Sequence, residues 1–290
     1  MTTAAATDTG SVQRITGAAT LAGVVGWPVA HSRSPLLHNY WLRRYGIDGA
    51  YVPLAVPPGQ LATALHGLRV AGFRGVNVTI PHKEEAFALC DDHDRSALRA
   101  GSANTLVFLA DGRIRGLSTD GAGFLGNLQA HGVRPAGRAL VLGAGGAARS
   151  VVAALLDQGV EVTVANRTRR RAEALVGALG GGDVVDWADW EAALDGRTLL
   201  VNTTSLGMHG GGAEAFAPDL SRAPGDMVVT DAVYVPRLTP LLACARARGL
   251  AIVDGFGMLL HQARPGFAAW FGRDPEVDAA VEAVAGAGLV

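Results

Sequence analysis

Lys83 opens a helix-compatible segment, Lys83 to Leu89, and a cation at a helix start sits against the helix dipole, so its position calls for a chemical reason. It follows Gly75-Val-Asn77-Val-Thr79-Ile-Pro81-His82, a strand whose polar members Asn77 and Thr79 share one face. The end of that strand therefore delivers an amide, a hydroxyl and an ammonium into one crevice. A lysine held in place beside a carbonyl polarises the oxygen and shuttles a proton. The plainer reading is a surface lysine; His82 reads as a satisfied or exposed imidazole and not as the proton donor. Asp120, in Gly116-Leu-Ser118-Thr119-Asp120-Gly121, has two compatible readings: N-cap of a helix Gly121 to His131, and the carboxylate that holds Lys83. Ser32 and Ser34 offer two hydroxyls to a carboxylate or polyhydroxylated ligand, although Ser34 before Pro35 also reads as a helix cap.

A second chemistry-bearing stretch lies near the middle of the chain. The apolar run Ala139-Leu-Val-Leu142 ends in Gly143-Ala144-Gly145-Gly146-Ala147-Ala148, a helix-compatible segment follows, and Glu161-Val-Thr-Val-Ala165 arrives about 20 residues later, the spacing of a dinucleotide-binding β-α-β unit. Gly143 permits the tight turn, Gly145 lets the backbone approach a pyrophosphate, and Ala148 allows close helix–strand packing, which leaves the phosphate on the helix N-terminus. Where an NAD enzyme carries an acid for the ribose hydroxyl, this chain has Asn166-Arg167-Thr168-Arg-Arg-Arg171. A guanidinium there pairs with a 2′-phosphate, which favours NADP over the alternative of a solvated basic helix start.

These residues need elements to position them, and the pattern supplies an alternation of strands and helices. Ala22 to Gly26 and Ala50 to Val56 read as strands, the second near a sheet edge because of Pro53; Gln60 to Val70 reads as a helix. Gly101-Ser-Ala-Asn104-Thr105 leads into a strand Leu106 to Leu109, and Asp111-Gly112 marks a hairpin turn. Further strands are expected at Leu199 to Asn202, Met227 to Ala232 and Ala251 to Asp254, with a glycine-rich loop Gly207 to Gly212. The 290 residues, 49% hydrophobic, suffice for two packed cores, and a net charge of −1 excludes a general nucleic-acid or membrane-surface binder. Cys90 and Cys244 match no zinc or redox spacing and read as reduced core thiols of a cytoplasmic protein; no metal site is expected. The first 16 or so residues read as a frayed terminus without an export signal.

Taken together, the motifs resemble the shikimate dehydrogenase family along nearly the full chain, through Ser32-Arg-Ser34-Pro35, Asn77-Val-Thr-Ile-Pro-His-Lys83, Ala103-Asn104-Thr105, Thr119-Asp120-Gly121, Gly143 to Ala148, Asn166-Arg-Thr168, Asn202-Thr-Thr-Ser205 and Asp254-Gly-Phe-Gly-Met258 with Gln262. The resemblance implies reversible NADPH-dependent reduction of 3-dehydroshikimate to shikimate, on the route to chorismate and the aromatic amino acids, with Lys83 and Asp120 as the catalytic pair. It implies that Ser32 and Ser34 hold the substrate carboxylate, that Asn77, Thr79, Asn104 and Gln262 hold ring hydroxyls, and that Tyr234 is a substrate-side tyrosine. For the cofactor it implies Gly143, Ala144, Gly145, Gly146 and Ala147 at the pyrophosphate. Asn166, Arg167, Thr168 and Arg171 fall at the 2′-phosphate, Thr203 and Ser205 along the dinucleotide, and Gly255 and Met258 near the nicotinamide.

The fold expected is α/β with two domains and a cleft between them: a substrate domain of residues 1–120 with a helical 257–290 crossing back onto it, and a doubly wound, parallel-sheet NADP-binding (Rossmann) domain of residues 121–256. The partners expected are a small-molecule substrate and a second copy of the chain as a homodimer. Ser118, where the family usually has asparagine, is expected to support the loop near Asp120 without touching the reacting carbon. Phe256, often leucine in the family, bears on the nicotinamide pocket. Two other functions share this pattern: a paralogue acting with NAD on quinate or an amino-substituted relative, and a non-catalytic NADP sensor. Retention of both Lys83 and Asp120 speaks against the sensor.

Overall fold

The computed structural model describes residues 15–208, 216 and 218–289. The expected frayed terminus and most of the glycine-rich loop lie outside the described residues. Two six-stranded sheets organise the chain.

The first sheet begins with β1 (Thr20–Gly26), β2 (Gly49–Ala55) and β3 (Phe73–Val78), which run parallel in the order β2-β1-β3. Pro53 cannot donate to a ladder, and β2 accordingly forms the edge. Between them lie α1 (Ser34–Arg44) and α2 (Leu61–Val70). After β3 come α3 (Lys83–Ala88), the short β4 (Asp92–His93) and α4 (Arg95–Ala100). Next is the hairpin β5 (Thr105–Phe108) and β6 (Ile114–Leu117), turned at Asp111-Gly112 as expected. Strand β5 runs antiparallel to β3, and β4 closes the sheet beside β6. That reversal matters for the site: the ends of β3 and β6 and the beginning of β5 meet at one edge of the sheet, with Asn77 opposite Thr105 and Thr105 opposite Leu117.

The second sheet is wholly parallel. It comprises β7 (Arg138–Leu142), β8 (Glu161–Ala165), β9 (Asp183–Val185), β10 (Leu199–Asn202), β11 (Val228–Asp231) and β12 (Ala251–Val253), in the order β12-β11-β10-β7-β8-β9. Counted from β7, this is the 3-2-1-4-5-6 order of a doubly wound sheet, whose switch point lies between β7 and β10. Its inner strands read as unbroken apolar runs because α6 (Gly146–Asp157), α7 (Arg169–Leu179) and α8 (Pro240–Ala247) help cover the sheet.

Two helices join the halves. In α5 (Asp120–Ala130) and α9 (Phe256–Phe271), Gly123 lies against Gln262 and Gly126 against His261, where a β-carbon on Gly123 would come within 2.6 Å of the Gln262 side chain. The C-terminal α10 (Ala279–Gly286) and α9 pack Val281, Ala285, Leu260 and Phe267 with Leu37, Trp41 and Leu42 of α1 in the core of the first half. The tail thus returns to the core of the first half.

Two local expectations change. Asp120 is the first residue of α5 and not its cap; Thr119 takes the cap position with no side-chain cap bond, because Asn104 and Lys83 already engage both side chains. Ser34 likewise is the first residue of α1, and its N–H donates to the Ser32 hydroxyl at 3.3 Å. Phe256 is 1% exposed, with Gly286 of α10 near its ring and the Arg237 guanidinium 4.8 Å over it. It is a packing residue of the first half's core, at the first position of α9.

Candidate active site

The convergence of β3, β5 and β6 creates a buried polar network. Lys83 Nζ forms an ion pair with Asp120 Oδ2, and both side chains are largely buried. The other oxygen, Asp120 Oδ1, accepts from Asn104 Nδ2 at 2.8 Å. Asn104 is itself held: its Oδ1 accepts the Thr119 N–H at 2.7 Å, and its Nδ2 lies 3.3 Å from Gln262 Oε1 on α9. One carboxylate is thereby fixed at both oxygens, and the ammonium has a defined position rather than a solvent-exposed range. Asn77 donates through Nδ2 to Thr105 Oγ1 at 2.9 Å and to the Asn104 carbonyl at 3.2 Å. Thr79 follows at the strand end, with its N–H on the Val25 carbonyl at 2.8 Å. His82 is buried: its Nε2 meets the Val56 carbonyl at 2.7 Å, while Nδ1 has no hydrogen-bond partner and lies 3.7 Å from the Glu85 carboxylate, so the imidazole is neither exposed nor fully satisfied.

Ser32 and Ser34 lie at the start of α1. Tyr234, in the loop after β11, reaches across to the same place: its ring packs on the first half's core, and its phenol accepts from the Arg33 backbone N–H. Burial raises the Tyr234 pKa above the ordinary tyrosine value, with the contact to Arg33 opposing it, so the phenol is neutral at physiological pH. The behaviour of Asp231 is similar in cause. Burial raises its carboxyl to about 6, while Thr239 Oγ1 at 2.7 Å, the Val233 N–H at 2.9 Å and Asn202 Nδ2 at 2.9 Å oppose that rise. Asp231 thus ties the ends of β10 and β11 together.

At the switch point, Gly143 has φ +113°, a conformation costly for any side chain, and a β-carbon there would come within 2.5 Å of Thr203 Oγ1. Thr203 spends that hydroxyl on the Leu142 carbonyl at 2.7 Å. A β-carbon on Gly145 would meet nothing within 4 Å, so the backbone is open to a close approach in front of α6. The next residue faces the first half directly: a β-carbon on Gly146 would lie 3.0 Å from Lys83 Cβ. Ala144 and Met258 are buried in one cluster with Ala148, and Ala147 is half-buried. Gly255 is wedged against the Asp231 and Val233 carbonyls, where a β-carbon would approach within 2.6 Å. Ser205 is exposed.

The basic segment divides its labour. Asn166 Nδ2 donates to the Thr168 carbonyl at 2.9 Å, and Arg169 turns away to Glu173 and Asp186, both at 2.8 Å. Arg167 and Thr168 are exposed at the end of β8, and Arg171 lies 3.7 Å from Glu84 of α3. Sequence reasoning passed over Glu84 and the buried Tyr51. It also placed Ser118 incompletely: its hydroxyl meets Ser150 of α6 at 2.7 Å, so it touches the seam between the halves and none of the Lys83 network. Both serines line a hollow of about 330 Å³ with Ser96, Arg99 and Asp157, walled by residues of both halves. Among the described residues no cluster suited to a metal ion occurs, and no helix is long and apolar enough to cross a membrane.

A glycine turn at a sheet switch point, set directly against a buried lysine–aspartate pair, defines a class: the chain is an α/β oxidoreductase of the two-domain, dinucleotide-dependent kind. Comparison with known proteins narrows it. Residues 24–106 match the shikimate dehydrogenase substrate binding domain, 129–209 the shikimate / quinate 5-dehydrogenase model, and 255–285 the shikimate 5′-dehydrogenase C-terminal domain. A shikimate dehydrogenase (NADP(+)) of Gluconobacter oxydans is 60% identical over 91% of this chain and 94% of its own, and one of Acidiphilium cryptum is 57% identical over 95% and 99%. The crystal structure of shikimate 5-dehydrogenase from Thermus thermophilus, in complex with NADP(H) and shikimate, superposes with a TM-score of 0.83 at 38% identity, covering 92% of this chain and 98% of that one. The chain belongs to the shikimate dehydrogenase family.

Proposed function

We propose that the protein catalyses the reversible NADPH-dependent reduction of 3-dehydroshikimate to shikimate, a step towards chorismate and the aromatic amino acids. The observation that carries the reading is the Lys83–Asp120 pair, locked by Asn104 and set against the first turn of α6. The backbone in front of α6 fits a pyrophosphate, because the Gly143 turn is formed and the space beside Gly145 is open. Gly143 to Ala147 would hold the pyrophosphate, with Thr203 and Ser205 alongside. Asn166, Arg167, Thr168 and Arg171 would hold the 2′-phosphate, and Gly255 and Met258 would border the nicotinamide. NADPH, when bound, supplies the hydride.

This chain's own groups do the rest. Lys83 donates a hydrogen bond to the ketone oxygen of the substrate and gives up a proton as that oxygen becomes an alcohol; in the reverse direction its amine takes the proton back. Asp120 keeps Nζ in place. Ser32, Ser34 and Tyr234 receive the substrate carboxylate, while Asn77, Thr79, Asn104 and Gln262 receive its hydroxyls. In this reading residues 1–120 with 257–290 form the substrate domain and 121–256 the NADP domain, supported by α5 starting at Asp120 and α9 at Phe256. The protein acts in the cytoplasm, and its macromolecular partner is a second copy of itself, for which light scattering gives the mass. The test of activity is absorbance of the reduced nicotinamide with shikimate or quinate against NADP or NAD. Shikimate with NADP is expected to be the best combination by a wide margin; faster turnover with quinate and NAD overturns the reading.

A further inference from the structure

Tyr51 belongs to no motif and lies on the edge strand β2, yet it is 1% exposed and its phenol donates to Asn77 Oδ1 at 2.6 Å. Reaching Asn77 means crossing β1. The residue paired with Tyr51 on β1 is Ala22, and beyond it on β3 stands Gly75; both are small. The ring passing over them is clamped by His38 of α1, stacked 4.0 Å away at an interplanar angle of 3°, with Trp270 tilted beside it at 6.1 Å. The phenol oxygen has a second partner in the Ser34 side chain. One buried hydroxyl therefore links a residue at the carboxylate end of the site to one at its hydroxyl end.

Asn77 shows why that link matters. Both hydrogens of its Nδ2 are committed, to Thr105 Oγ1 and to the Asn104 carbonyl. Its Oδ1 accepts from Tyr51 and keeps one lone pair. Asn77 can therefore meet a ligand only as an acceptor, so the ligand must present a hydroxyl that donates. Together with the two bonds from Nδ2, the phenol holds the amide in one place and orientation, with Oδ1 as the end left for a ligand.

We propose that Tyr51 is a positioning residue of the site: through its phenol it sets Ser34 and Asn77 in one fixed relation, and so fixes the substrate's carboxylate and a donating hydroxyl relative to Lys83. The proposal rests on the shikimate reading only for the identity of the ligand. The test is steady-state kinetics of Tyr51→Phe, which keeps the ring against His38 and removes one oxygen. The Michaelis constant for shikimate is expected to rise about tenfold, the effect of one ordinary hydrogen bond, with kcat changed less than about threefold and the constant for NADP unchanged. A residue that merely supports the fold would lower the active fraction and the melting temperature and leave the Michaelis constant for shikimate alone; that outcome overturns the proposal, as does an equal rise for NADP. A second cycle needs no change at Tyr51. Ser34→Ala and Asn77→Ala are expected to be less than additive in their effect on shikimate, because both break the same phenol-linked chain, whereas simple additivity refutes the link. Parent protein that is inactive with shikimate and NADP sinks the functional reading instead, a result separable from either outcome.

Discussion

His38 should make the protein acid-labile, by an amount that can be worked out. Its imidazole is fully buried among Trp41, Tyr51, Phe267 and Trp270, and neither ring nitrogen has a hydrogen-bond partner. Burial in that aromatic nest lowers its pKa from 6.5 to about 3. A group whose folded pKa is depressed contributes stability that is present above the unfolded pKa and lost as the pH falls towards the folded one. Relative to neutral pH, His38 should cost about 2 kcal/mol at pH 5 and about 3 kcal/mol at pH 4. Asp231 works in the opposite sense: its carboxyl is raised to about 6, so its contribution is present below the ordinary carboxylate value and lost as the pH rises through about 6. The two partly cancel in the parent protein. A difference measurement separates them. Urea unfolding of the parent and of His38→Phe, from pH 7.5 down to pH 4, is expected to show the variant gaining about 3 kcal/mol on the parent across that range, since Phe carries no proton to bind. Parallel stability curves for the two proteins would refute the reasoning, because His38 would then bind its proton as readily folded as unfolded.

Arg167→Ala is expected to raise the Michaelis constant for NADP about 10- to 100-fold while leaving that for NAD nearly unchanged, as the loss of a charged hydrogen bond to phosphate requires; equal losses with both cofactors remove Arg167 from the 2′-phosphate. Ser118→Ala loses the Ser150 contact across the seam and is expected to cost about 1 kcal/mol in chemical unfolding, with turnover retained. Ser118→Asn can extend into the adjoining hollow and should keep its kinetic constants within about tenfold of the parent; an inactive Ser118→Ala would place the hydroxyl on the reaction path. Asp120→Asn is expected to lower kcat roughly 10²- to 10⁴-fold with a small change in substrate affinity, and to combine less than additively with a change at Lys83.

The glycine turn and the strand alternation were readable because they are local: spacing of about 2 or 3.6 residues and a turn that excludes side chains leave their mark in adjacent positions. The edge position of β2 was readable from Pro53 for the same reason. Lys83 was readable as an anomaly, a cation where a helix dipole disfavours one. What the local pattern could not carry was pairing across the fold. Tyr51 and Asn77 are 26 positions apart and separated by a strand, so strand alternation alone marks Tyr51 as a core aromatic. Ser118 and Ser150 belong to different halves, and the seam between them exists only once α5 packs on α6. The capping assignments failed where the site took precedence, since Asp120 and Thr119 spend their side chains on Lys83 and Asn104 and have nothing left for the first turn of α5.

The central claim is that Lys83, held by Asp120, moves the proton in the oxidation and reduction of shikimate. The most direct measurement is kcat of Lys83→Ala against the parent, with shikimate and NADP both saturating. The account predicts a fall of roughly 10²- to 10⁴-fold with the Michaelis constant for shikimate changed far less, because the interaction is made mainly in the transition state. Turnover within a few fold of the parent would contradict it and move the proton relay to another group.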